Sequence, residues 1–294
     1  MNLKKIAFII NPISGGIPKG TIPDLIEKYI DKKRFEASIF FTKSTEHNQE
    51  LAKQCVDDKY DVIIAVGGDG TINNTAKYVV NSDSIFGIIP LGSGNGLARH
   101  LNISLNPEKA IQQVNNFNVY AMDTGSINGH FFLNVVGVGF DAHVTDLFAK
   151  APKRGFWQYT KITLSEFAKY KAMEYKMEID GKVVVRNAFL ICVANGSQYG
   201  NNAYISPLSI VNDGEFEVSV LKPFKILQAP MLGVKIFNKN IHTSALVNVF
   251  KGSHIKITRN DTGVVNVDGE PYDMGKEIEI KLYAKSLKII GNEQ

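Results

Sequence analysis

The chain has 294 residues, 44% hydrophobic and 21% charged, which excludes a disordered polymer and leaves room for two ordinary domains. Its net charge of +4 comes without a run of five Lys/Arg or a nucleic-acid motif, so nucleic acid is excluded as a partner while phosphates and anionic membranes are not. The two cysteines, Cys55 and Cys192, lie in unrelated segments without ligand spacing, which excludes a disulfide framework or zinc site and reads both as core thiols.

At the start of the chain, Met1-Asn2-Leu3-Lys4-Lys5 is followed by only five apolar residues before Asn11-Pro12, too few for a signal peptide. No window approaches the roughly 20 apolar residues of a membrane-spanning helix, so a cytoplasmic protein is expected. Short apolar runs then alternate with helix-like stretches: 5–10 and 22–30, 37–41 and 46–56, 61–66 and 72–80, 85–89 and 96–101. This βαβα rhythm predicts a parallel sheet with helices on its faces, and ligands at the carboxyl ends of its strands. From about Tyr120 the rhythm changes to β-rich segments broken by the turn pairs Asn128-Gly129, Asp180-Gly181, Asp213-Gly214 and Asp268-Gly269. Alternation over 174–179, 215–220 and 277–282 fits antiparallel strands with one buried face, predicting a second, mostly β domain. One stretch interrupts it: Phe156, Trp157, Tyr159, Ile162, Leu164, Phe167 and Tyr170 recur at near-helical spacing among lysines and Arg154. This basic amphipathic helix, with the chain's only tryptophan, fits either packing on the sheet or contact with a membrane.

Three strands of the first half run into small-residue loops: Asn11-Pro12-Ile13-Ser14-Gly15-Gly16, Gly67-Gly68-Asp69-Gly70-Thr71 and Pro90-Leu91-Gly92-Ser93-Gly94-Asn95-Gly96. A glycine loop entering a helix N-terminus presents backbone N–H groups where the helix dipole is positive, which suits phosphate oxygens. Any one of these loops alone reads more readily as a tight turn, whereas three at one sheet edge make a nucleotide site. Residues 15–21 fail the P-loop pattern because Lys19 precedes Gly20, and residues 92–97 misplace the third glycine of a dinucleotide fingerprint.

These loops, together with Asn134-Val135-Val136-Gly137-Val138-Gly139-Phe140-Asp141 and the late Asp268-Gly269-Glu270, resemble the motif set of the diacylglycerol kinase catalytic family, which includes bacterial lipid kinases and sphingosine kinases. The order and approximate spacing match across nearly the whole chain. The resemblance implies a three-layer α/β ATP-binding catalytic domain over residues 1–123. An antiparallel β-sandwich that takes the lipid would span 124–283, with a final strand at about 284–294 returning to the first domain. It further implies that ATP, carried with Mg²⁺, touches Asn11, Ser14, Gly15, Thr42, Gly67, Gly68, Asp69, Gly70, Thr71, Asn73, Ser93, Gly94 and Asn95. The third loop, Gly-Ser-Gly-Asn-Gly, is closer to the sphingosine kinase form than to the Gly-Thr-Ala-Asn-Asp of many bacterial relatives.

Phosphoryl transfer asks the protein to align a hydroxyl with the γ-phosphate, to offset spread negative charge and to accept a proton. Asp69, held between glycines, reads as a residue reaching Mg²⁺ or the hydroxyl, or else as a carboxylate satisfying loop amides. Glu270 alone reads as a strand start after a turn; the resemblance makes it the proton acceptor. Asp123, at the domain junction, reads as a third catalytic residue binding a lipid hydroxyl or amine, or as an exposed strand position. By the same resemblance, Asp213 with Ile210 and Glu215 matches a loop that holds a structural Mg²⁺, the alternative being a plain Asp-Gly turn. Arg99 and His100 fit phosphate contact or a helix end. The expected partner is a lipid at a membrane surface, with peripheral contact near Trp157. Two rivals remain: a kinase of a soluble acceptor, since NAD kinases share Gly-Gly-Asp-Gly-Thr, and a lipid-binding protein without turnover.

Overall fold

In the first half the apolar runs become strands and the intervening stretches helices. In chain order these are β1 (Lys4–Ile10), α1 (Thr21–Tyr29), β2 (Phe35–Phe41), α2 (Thr45–Asp57), β3 (Val62–Gly67), α3 (Asp69–Val79), β4 (Ile85–Pro90), α4 (Gly96–His100) and α5 (Pro107–Asn116). The computed structural model describes residues 3–13, 21–152 and 155–292; Ser14, Gly15 and Gly16 of the first glycine loop lie outside them. The chain divides into two compact units, Met1–Met122 with Lys285–Gln294, and Asp123–Ala284.

The first unit holds a parallel sheet in the order β2-β1-β3-β4, with Ile6 of β1 opposite both Ala37 and Val62. The end of the chain's last strand joins it in parallel, Ile289 opposite Phe86. β3 is buried throughout and β1 and β4 nearly so, because helices cover both faces of the sheet; hence continuous apolar runs rather than alternation. The helices pair, α2 with α3 and α1 with α5. Side-chain caps start two of them: Ser44 accepts the His47 N–H before α2, and Asn106 accepts the Lys109 N–H before α5.

The remaining elements are β5 (Val119–Ile127), β6 (His130–Phe132), β7 (Val135–Gly139), α6 (Phe140–Ala149), α7 (Phe156–Phe167), β8 (Met173–Ile179), β9 (Lys182–Ala188), β10 (Leu190–Ala194), β11 (Phe216–Leu221), α8 (Ala229–Phe237), β12 (Val247–Gly252), β13 (His254–Arg259), β14 (Gly263–Val267), β15 (Glu270–Met274) and β16 (Glu277–Ile290), with short 3₁₀ turns at Ile226–Gln228 and Ile241–Thr243. One antiparallel sheet runs β12-β11-β10-β7-β14-β15, and the other places β13 between β16 and β8, with β9 beyond. Val136, Ile191 and Val218 of the first share a buried core with Tyr175, Met177, Ile257 and Ile280 of the second. Two sheets enclosing one apolar layer make a β-sandwich.

Three of the four expected hairpin pairs are real. Asn128-Gly129, Asp180-Gly181 and Asp268-Gly269 have positive φ at both residues, the backbone that an Asn-Gly or Asp-Gly hairpin turn requires. Asp213-Gly214 is not a hairpin: only Gly214 has positive φ, and the pair ends the long connection from β10 to β11. β11 also departs from the expected one-sided burial, since Glu217 and Ser219 are buried on the face predicted to be polar and exposed. The helices α6 and α8 were not anticipated in this β-rich half. α7 sits where the amphipathic stretch predicts: Tyr159, Ile162 and Phe167 pack on a cluster around Phe140 and Phe189, while Trp157 and Leu164 face outward. Among the described residues no helix is long and apolar enough to cross a membrane.

Candidate active site

In the order β2-β1-β3-β4, the connection from β1 runs to one side, to β2, and that from β3 to the other, to β4, so the topological switch point lies at the carboxyl ends of β1 and β3. Asn11 follows β1 there and Gly67-Gly68-Asp69 follows β3. The loops are knitted together: the Asn11 side chain donates to Thr71 Oγ1 at 3.1 Å, and the Asn11 N–H to the Val66 carbonyl at 3.0 Å. Thr42, at the end of β2, is buried and donates its N–H to the Ile10 carbonyl at 2.9 Å.

Asp69 clasps the second loop to the third. Its Oδ2 accepts the Asn95 N–H and its Oδ1 the Gly96 N–H, both at 2.9 Å. Burial pushes its carboxyl above the usual range, while these amides, its own N–H and the Arg99 charge pull it back. Both oxygens of Asp69 thus accept loop amides, as the reading of it as a carboxylate satisfying loop amides expects. Asn95 adopts φ 52, and its side chain accepts the Gly92 N–H at 2.9 Å and donates to the Gly92 carbonyl at 2.7 Å. Asn95 thus shapes the loop from within, while Ser93 is exposed and Gly94, whose carbonyl accepts from Arg99 Nε at 3.1 Å, is partly so. The two loops touch so closely that a Cβ on Gly92 would stand 2.6 Å from the Gly68 Cα. The N-cap of α3 is Gly68, which has no side chain to cap the helix; the Asp69 N–H turns to its own carboxylate, and the next N–H groups, of Gly70 and Thr71, face no capping side chain. Asn73 lies one turn further on, partly exposed.

The second unit presents different chemistry. Asp268 accepts backbone N–H groups from Leu133, Asn134 and Val135 at 2.7, 3.0 and 2.8 Å, and Gly269 donates to Asn266 Oδ1 at 2.8 Å. This clamped turn delivers Glu270 to the first position of β15 with its side chain exposed. Tyr272, two residues on and thus on the same face, has its phenol pushed up by burial and then by the Glu270 and Asp268 charges, and stacks on His130 at 4.4 Å.

Asp123 is fully buried, which corrects the reading of it as an exposed strand position. Its Oδ2 accepts the Gly214 N–H at 2.8 Å, so it anchors the loop that carries Asp213. Asp213 bonds to the Lys251 ammonium at 2.9 Å and to the Glu215 N–H at 3.2 Å; Ile210 and Glu215 are exposed. Lys251 offsets one of the two carboxylates, Asp213 and Glu215, that this loop would offer a divalent cation. Among the described residues no three His, Cys, Asp or Glu side chains group as metal ligands.

One polar centre was read from the sequence only as the end of a matching segment, with no role of its own. Asp141, in the first turn of α6, is buried and accepts from Asn266 Nδ2 at 2.7 Å and from Tyr159 OH at 3.4 Å. Burial raises its carboxyl to about 6 against the pull of Asn266, Tyr159 and Tyr199. The signal was a lone acid at the end of the apolar run 135–140.

An α/β unit with interlocked glycine loops, joined in one chain to an antiparallel β-sandwich, defines the class: a kinase-type protein of two units. The chain belongs to the diacylglycerol kinase family, matching the diacylglycerol kinase catalytic domain over residues 5–127 and the YegS C-terminal NAD kinase beta sandwich-like domain over residues 134–290. It is 27% identical over 282 residues to a diacylglycerol kinase of Bacillus subtilis, covering 91% of this chain and 90% of the relative. A diacylglycerol kinase of Staphylococcus saprophyticus is 25% identical over 276 residues, with 91% and 89% covered. A solved structure of a diacylglycerol kinase from Bacillus anthracis has the same fold, with a TM-score of 0.79, 21% identity, and 99% of this chain and 98% of that one covered.

Proposed function

We propose that the protein is an ATP-dependent lipid kinase that transfers the γ-phosphate of ATP to a lipid hydroxyl group. The observation that carries this reading is the Asp69 clasp, which fixes two glycine loops at the switch point of a parallel sheet beside the uncapped N-terminus of α3. Relatives named diacylglycerol kinase support a lipid as acceptor.

ATP brings the phosphoryl group, and Mg²⁺ carried with it offsets charge on the phosphates. The chain's residues do the rest. The N–H groups of Gly70 and Thr71 at the start of α3 and of Ser93 and Gly94 in the third loop bind phosphate oxygens, with Ser14 and Gly15 of the first loop, and Asn11, Thr42, Thr71 and Asn73, as the further nucleotide contacts. Asp69 holds these amides in register and offers its remaining lone pairs to the bound nucleotide complex. Glu270, exposed on a turn clamped by Asp268, accepts the proton of the lipid hydroxyl. Asp123 positions the 210–214 loop. A structural Mg²⁺ held by Asp213 with Ile210 and Glu215 would share the loop with Lys251 and takes no part in the transfer step. The acceptor lives in a bilayer, so the protein works at the cytoplasmic membrane face, where the exposed Trp157 of α7 makes contact.

The test is transfer of label from γ-labelled ATP with Mg²⁺ to detergent-dispersed diacylglycerol, sphingoid base or ceramide, with NAD in parallel. Label in the organic phase supports the proposal and names the headgroup class. Label only on NAD would move the protein to the soluble-acceptor reading, and no transfer despite ATP binding would make it a binder.

A further inference from the structure

α8 is apolar on two opposite faces. Leu232 and Ile236 point inward onto a small core with Ile241 and Val247. On the far side, Met231 is 44% and Val234 60% exposed, and the 3₁₀ turn before the helix adds Leu227 at 87%. A helix of this length needs one apolar face to dock on its own domain; a second, contiguous and exposed, marks a contact surface.

The charge around this face selects the partner. Residues 218–260 contain seven Lys or Arg and no Asp or Glu. Lys222, Lys225, Lys235 and Lys239 bracket the exposed stripe, and among the described residues none of them pairs with a carboxylate: Lys222 donates to the Ala245 carbonyl at 3.1 Å, Lys235 to Thr243 Oγ1 at 2.6 Å, and Lys239 lies 4.6 Å from the Tyr204 ring. A second protein copy would set these unpaired cations against their own like. An anionic bilayer supplies what both features require, an apolar layer beneath a negative headgroup plane.

We propose that the segment 222–239 is a docking surface for an anionic lipid bilayer, with Leu227, Met231 and Val234 entering the acyl boundary and the four lysines resting among the headgroups. The segment also leans on α7 through Phe224, whose ring is 5.2 Å from that of Phe167, so α7 and α8 share one apolar base. The docking surface does not depend on catalysis.

The experiment is flotation of the full chain with vesicles of phosphatidylcholine alone or mixed with phosphatidylglycerol, without ATP. The wild type floats with the mixed vesicles and is released by high salt. Leu227→Glu/Val234→Glu, at exposed positions that leave the melting temperature unchanged, weakens flotation by about tenfold or more, and Lys225→Glu/Lys235→Glu removes the preference for phosphatidylglycerol. Flotation of the apolar double variant equal to wild type would overturn the proposal and leave α7 as the membrane contact. A wild type that ignores vesicles but self-associates through Leu227 would overturn it in favour of a second copy, and one that does neither would overturn it outright. Each result is read separately from kinase activity.

Discussion

Gly92→Ala is the sharpest test of the interlocked loops. The added Cβ would stand 2.6 Å from the Gly68 Cα and 2.7 Å from Asn95 Oδ1, and the first of these is main chain that cannot rotate away. Either the second loop moves off the third, breaking the amide bonds to Asp69, or the strain stays in place at about 1–3 kcal/mol. On a chain of this size that is a fall in Tm of about 2–5 °C. Displacing the loops by the best part of an ångström should slow phosphoryl transfer by roughly a hundredfold. Thermal unfolding with and without Mg-ATP, followed by titration calorimetry, separates the two consequences. Gly129→Ala is the comparison: its φ is +84, so alanine is strained by about 1–2 kcal/mol, but its Cβ meets nothing and ATP binding should not change. A Gly92→Ala protein that melts within a degree of wild type and binds ATP equally well would refute the close approach as the basis of the site.

Asp268→Ala strands three backbone N–H groups, and should cost about 3 kcal/mol or more in urea unfolding and lower the rate although Glu270 is intact. Asp141 gives a pH signature. Its folded pKa of about 6 lies above its ordinary 3.8, so the neutral acid's stabilisation is full below about pH 4 and is lost as pH rises through 6. Wild type should therefore gain about 2 kcal/mol over Asp141→Asn between pH 7 and pH 4, measured as the difference between their urea midpoints; parallel curves would contradict the assignment.

The first unit was legible because each element announces itself. Strands buried on both faces must be continuous apolar runs, and residues 5–10, 61–66 and 85–89 fall within one or two residues of β1, β3 and β4. α5 was missed although Asn106-Pro107-Glu108 is a helix-start signature, because attention to apolar runs passes over a cap. In the second unit, period-two alternation reports one-sided burial, which holds for β8 and fails for β11, where covering elements bury Glu217 with Ser206. No local pattern announces that covering, just as none announces that Asp123 is buried or that Asp213 meets Lys251, 38 residues away. The glycine loops were readable as loops. That Asp69 spends its oxygens on the third loop and Asn95 its side chain on its own loop emerged only from the fold, as did the clamp that makes Asp268, rather than Glu270, the structural acid of its motif.

The most direct test of the central claim compares wild type with Glu270→Gln for ATP binding by calorimetry and for label transfer to lipid in mixed micelles. Glu270 is exposed at a strand start, so the substitution should leave fold and nucleotide affinity unchanged and lower transfer at least about a hundredfold, the range for loss of a general base. Transfer to lipid at the wild-type rate would remove Glu270 from the mechanism, and a wild type that leaves all label in the aqueous phase would contradict the lipid kinase itself.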